Sequence, residues 1–236
     1  MNTFDASILA YFNSFARTSQ YFDLFVWELS ENHLLKGAIP LTLLWFFWFH
    51  KKETNEAASS LLREQVIITI LSCFASIFIG RVLALTLPFR PRPITNMALH
   101  FVIPHGIGYR AFDGMSSFPS DHATFMFSLA TGIWLMSEGT GFFALLYVTL
   151  LTLIPRIYLG LHHPTDILAG AVIGILTTLI LNKIKTIRTL LVKPLIVWSE
   201  KFPAIFYSFL FLSTYEIASM FDDIRNLYHI AIQIIQ

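Results

Sequence analysis

The chain has 236 residues, of which 55% are hydrophobic, 15% aromatic and 13% charged, with a formal net charge of +1. A soluble globular domain carries roughly 25% charged residues, so half that density leaves too little polar surface to cover a water-facing globule. With a mean hydropathy of +0.63, these values exclude a disordered chain, a coiled coil and a nucleic-acid binder with a basic face. They point to an integral membrane protein.

Residues 1–33 form an N-terminal segment whose only Lys or Arg is Arg17. Within it, residues 4–29 mix aromatic and polar positions, which suits an interfacial amphipathic helix or a soluble cap. A membrane-spanning helix needs about 20 mostly apolar residues. Six stretches qualify or nearly so: 34–49, 66–87 (interrupted by Arg81), 119–136, 142–161 (interrupted by Arg156), 164–181 and 202–221 (with Glu216 inside). The expected fold is therefore all-α, a six-helix membrane bundle over residues 34–221, followed by a tail at 222–236. Cys73 lies in the second stretch and reads as a small hydrophobe.

Basic residues set the orientation of such a bundle. If all six stretches span, links 50–65, 137–141 and 182–201 share one side. Between them they hold Lys51, Lys52, Arg63, Lys183, Lys185, Arg188, Lys193 and Lys201. That side is expected to be cytoplasmic. Links 88–118 and 162–163 then face outward.

Three segments set polar residues against apolar runs, where each costs several kcal/mol unless it is used. The first runs from Arg81 to Pro93 and carries Arg90 and Arg92, whose planar donor forks suit phosphate oxygens. The second is Ser116–Ala123. Pro119 is expected to open a helix, which places Ser120, Asp121 and His122 in its first turn, where free N–H groups favour an anion. Taken alone, Ser120 reads equally as a capping hydroxyl. The third is Pro155–Asp166. Arg156 needs an anionic partner, His162 falls at a helix end, and Pro164 opens the next helix with Asp166 in its first turn. A carboxylate four residues from an imidazole can hold one ring nitrogen and leave the other as a nucleophile. Two histidines, three arginines and a helix-start serine, gathered on the outward face, describe a phosphate pocket.

These residues resemble the type 2 phosphatidic acid phosphatase superfamily, membrane lipid phosphatases related to vanadium haloperoxidases. The family signature KxxxxxxRP, PSGH, SRxxxxxHxxxD is met by Arg92-Pro93, by Pro119-Ser120-Asp121-His122, and by Arg156, His162 and Asp166. The resemblance spans about residues 66–182. It implies that His162 is the nucleophile that forms a phosphohistidine, Asp166 its orienting carboxylate and His122 the general acid. Arg92, Arg156 and Ser120 would hold the phosphoryl oxygens. Three positions depart from the pattern. Leu85 stands where the lysine is expected, leaving Arg81 or Arg90 to supply the cation. Asp121 replaces the motif glycine, and Pro155 replaces the serine before Arg156.

PSDH and the preceding Val-Ile-Pro-His (102–105) are similar to bacterial undecaprenyl-pyrophosphate phosphatases. The expected activity is metal- and cofactor-independent hydrolysis of a lipid (pyro)phosphate at the outer face of a bacterial inner membrane, with undecaprenyl pyrophosphate the first choice. The partners expected are that substrate and membrane lipids, without nucleic acid. Phosphatidate, phosphatidylglycerol phosphate and lipid A phosphates are alternatives, as are phosphotransfer and, outside enzymology, lipid transport.

Overall fold

A computed structural model of the protein describes residues 1–50, 56–107, 116–220 and 227. Lys51, Lys52, Phe221 and, residue 227 aside, the tail singled out above lie outside the described residues. All regular structure among the described residues is helical.

Two helices open the chain: α1, Thr3–Asn13, and α2, Gln20–Glu31. Each starts on a side-chain cap, Asn2 accepting from the Asp5 N–H and Ser19 from the Phe22 N–H, which satisfies donors that a helix start leaves without partners. Helix α3, Leu34–Phe49, begins as a π-helical turn over Leu34–Ala38. The long α4 covers Glu56–Thr86, starting ten residues before the apolar run at Val66. After the link come α5, Asp121–Met136, α6, Glu138–Tyr158, and α7, Pro164–Lys183. Helix α6 contains Pro155, which lacks an N–H to continue an α-helix. A π-helical turn, Val148–Leu153, lies just before it. Two short turns lead to α8, Lys193–Lys201, and α9, Pro203–Ala218.

Among the described residues, α4, α6 and α7 are long and apolar enough to cross a membrane. The other expected spans form helices α3, α5 and α9. Helices α5 and α9 have 16 residues each, about 24 Å at 1.5 Å per residue, which is shorter than a hydrocarbon core of about 30 Å. The described residues thus form an apolar helical bundle in which three helices are long enough to span.

Helix α5 is the hub. Its residues Ala123, Phe125, Met126, Leu129, Ala130 and Ile133 are buried, as expected of a helix that is apolar on every side. It is packed against α4, α6 and α7. The α7 contact is closest, because a Cβ at Gly170 would lie 2.6 Å from the Ser120 carbonyl oxygen and one at Gly174 2.2 Å from that of Thr124. Small residues four apart allow this backbone approach in apolar bundles. Ser128 and Thr178 share a 2.8 Å hydrogen bond in the same interface. Helix α9 is tied to α3 by the Trp48 indole, which stacks on Phe206 and donates to the Tyr207 hydroxyl at 3.0 Å.

At one end of the bundle Arg188 pairs with Glu64 at 2.7 Å, joining two of the basic links. The three motif segments meet at the other end.

Candidate active site

The approach of α5 to α7 brings two helix starts together. Pro119 lies just outside α5, whose N-cap is Ser120. The Ser120 hydroxyl accepts from the Ala123 N–H at 3.4 Å and its backbone N–H donates to the Asp166 carbonyl at 3.1 Å. Pro164 opens α7 as expected, and Asp166 Oδ2 accepts from the His163 N–H at 2.7 Å. Between α6 and α7 the chain turns at Gly160. Its φ of +69° is open to glycine, and a Cβ there would sit 2.6 Å from the Phe101 ring.

The segment around Arg90–Ile94 laces these pieces together. The Ser117 N–H donates to the Arg90 carbonyl at 2.9 Å, and the Ile94 N–H to that of Gly160 at 2.9 Å. Arg92 is buried and donates to the Leu161 carbonyl at 2.9 Å. His163 Nε2 lies 3.2 Å from the Pro91 carbonyl.

His162 is 4% exposed. Its Nδ1 lies 2.9 Å from the Ser117 carbonyl oxygen. The Asp166 carboxylate, expected to hold a ring nitrogen, stands 3.9 Å from Nδ1, beyond hydrogen-bonding distance, and acts on the ring through its charge. A carbonyl only accepts, so Nδ1 carries the proton and Nε2 of the neutral ring holds a lone pair. Burial pushes the imidazole down to about 4, outweighing Asp166. The cations whose charge reaches His122 are Arg156, Lys36 and Arg92. Its Nε2 is buried without a hydrogen-bond partner among the described residues. Burial, then the Arg156 charge, lowers Arg92 to about 10, so it is a cation at neutral pH.

The other arginines face carboxylates. Arg81 pairs with Asp121 at 2.6 Å. The carboxylate that replaces the motif glycine thus faces one of the two arginines that could supply the missing cation. Leu85, where the motif lysine would stand, is 85% exposed and points away from the bundle. Arg156 is buried and its Nη2 donates to the Ser30 carbonyl at 2.9 Å and to Glu31 at 3.2 Å. Arg90 donates to Asp5 at 2.7 Å and to Asp166 at 2.5 Å. Asp23 takes the His105 ring at 2.8 Å and the Tyr158 hydroxyl.

The N-terminal segment therefore lies over the site, with Asp5 on α1 and Asp23 and Glu31 on α2. Sequence reasoning passed over these carboxylates, and also Lys36, which is 1% exposed. Lys36 carried a usable signal, a lone cation within an apolar stretch. Asp5 carried none, since its partners Arg90 and Thr165 are 85 and 160 residues away.

One end of the apolar helical bundle thus brings the residues of the three motif segments together, two histidines, two buried arginines and a carboxylate. Residues 65–189, just over half of the chain, match the PAP2 superfamily, and the protein belongs to it. It is 26% identical over 148 residues to "Undecaprenyl-diphosphatase BcrC" of Bacillus subtilis (strain 168), covering 63% of this chain and 67% of that protein. A 64-residue stretch is 41% identical to "Bacitracin transport permease protein BcrC" of Bacillus licheniformis, covering 27% of this chain and 31% of that protein. No solved structure matches the chain.

Proposed function

We propose that the protein hydrolyses undecaprenyl pyrophosphate, or a closely similar lipid pyrophosphate, through a phosphohistidine on His162. The carrying observation is the 2.9 Å contact of His162 Nδ1 with the Ser117 carbonyl, which leaves Nε2 as the nucleophile beside Arg92 and Arg156. In the first step Nε2 attacks the terminal phosphorus and the P–O bond to the lipid phosphate breaks. His122 gives its proton to the leaving oxygen. Arg92, Arg156 and backbone N–H groups at the start of α5 bear the charge that develops on the phosphoryl oxygens. Water then attacks the phosphorus and gives a proton to His122, the P–N bond breaks, and inorganic phosphate leaves with His162 restored. No step calls for a metal.

The likeness to the B. subtilis diphosphatase supports the substrate choice. The presence together of His122, His162 and Asp166 favours hydrolysis over transport. In this reading α3, α5 and α9 cross the bilayer with the three longer helices, and the site faces the outside of an inner membrane. The test is phosphate release in lipid micelles from undecaprenyl pyrophosphate, phosphatidate and phosphatidylglycerol phosphate, for wild type and His162→Ala. Fastest release from the pyrophosphate, lost in the variant, is expected. Full activity in the variant would overturn the nucleophile, and preference for a monophosphate would overturn the substrate.

A further inference from the structure

Helix α1 lies outside the family-matched residues 65–189, yet its Asp5 is 0% exposed beside the catalytic turn. Asp5 Oδ1 accepts from the Thr165 backbone N–H at 2.9 Å, and Oδ2 from the Thr165 hydroxyl at 2.7 Å. The Arg90 guanidinium stands between two carboxylates, with Nη2 on Asp5 at 2.7 Å and Nη1 on Asp166 at 2.5 Å; Nη1 also meets Thr165 Oγ1 at 2.8 Å. Both carboxylates have fully buried side chains. Were Arg90 to swing onto a phosphate, the two buried anions would lose the cation between them, an arrangement that costs far more than it returns.

From this geometry we infer that Asp5 is a positioning residue of the active site. Through Arg90 and Thr165 it fixes Asp166 and the His162–Asp166 turn. Arg90 is the bridge in that network and not a ligand of the substrate phosphate. The inference rests on the phosphatase reading above, and extends the working site to the N-terminal helix.

A double-mutant cycle on full-length protein in micelles tests it, using Asp5→Asn, Arg90→Gln and the pair together, with undecaprenyl pyrophosphate as probe. Misplacing the turn is expected to lower kcat about tenfold to a hundredfold in Asp5→Asn, with KM unchanged. The double variant is expected to be no worse than Arg90→Gln alone. Asp5→Glu is expected to recover part of kcat. If Asp5→Asn does not elute as folded protein, Thr165→Val keeps every charge and removes only the hydroxyl. It is expected to lower kcat at constant KM. Unchanged kcat in whichever variant is folded, a raised KM at unchanged kcat, or fully additive losses would each overturn the inference. Failure of wild type to release phosphate from any of the three lipids would instead overturn the function itself.

Discussion

A carbonyl oxygen accepts a hydrogen bond and never donates one, and this fixes the state of His162. With Nδ1–H on Ser117, the attacking nitrogen is Nε2, and burial keeps the ring neutral down to about pH 4. The nucleophile must be unprotonated to react. Its activity is therefore present above the folded value and is lost as pH falls through it. The acid limb of the kcat/KM profile is expected near 4, well below the ordinary imidazole value of 6.5. A limb at 6.5 would show that the ring is solvated in the working enzyme. Arg92, buried and held by the Leu161 carbonyl, makes the second prediction at this scale. Arg92→Ala is expected to depress kcat/KM about a hundredfold or more, the range for losing one donor to a developing oxyanion, as measured by initial rates.

At the scale of elements, the site exists because α5 and α7 nearly touch. Gly174→Ala would press a methyl group to within 2.2 Å of the Thr124 carbonyl. This substitution is expected to cost about 1–3 kcal/mol by overpacking, read as a lower Tm in detergent. Gly139→Ala is the control, since nothing lies within 4 Å of a Cβ there. A helical Gly→Ala at an open position is expected to be neutral or to stabilise by about 0.5–1 kcal/mol. The starts of α5 and α7 were legible in Pro119 and Pro164 because proline acts locally. Ser120 could be read as cap or ligand, and the structure shows it capping α5. The role of the Ser117 carbonyl was not legible, because any residue brings a carbonyl and only the tertiary fold aims it. The same holds for Asp5. Its value comes from partners that sequence distance hides, whereas Arg156 announced itself by standing in an apolar run.

At the scale of the molecule, the two ends of the bundle differ in charge logic. One end collects lysines with the Arg188–Glu64 pair, and the other interleaves arginines with carboxylates. The outward-facing site proposed above rests on the first feature. It is testable because the only cysteine, Cys73, is fully buried and is expected to stay silent toward a membrane-impermeant maleimide. Met97→Cys, at a position 79% exposed in the outer link, is expected to react in intact cells. Lys185→Cys, exposed at the opposite end, is expected to react only after permeabilisation. The reverse pattern would invert the topology.

The Arg81–Asp121 pair constrains how this sequence can change. Taken alone, Asp121 looks like an isolated defect in a family signature. The two side chains form a 2.6 Å charge pair, so they are expected to vary as a unit. A lysine placed at 85 would not supply a cation to the site, because that side chain points outward. Libraries built to alter substrate choice gain more from exchanging positions 81 and 121 jointly than from sampling them one at a time.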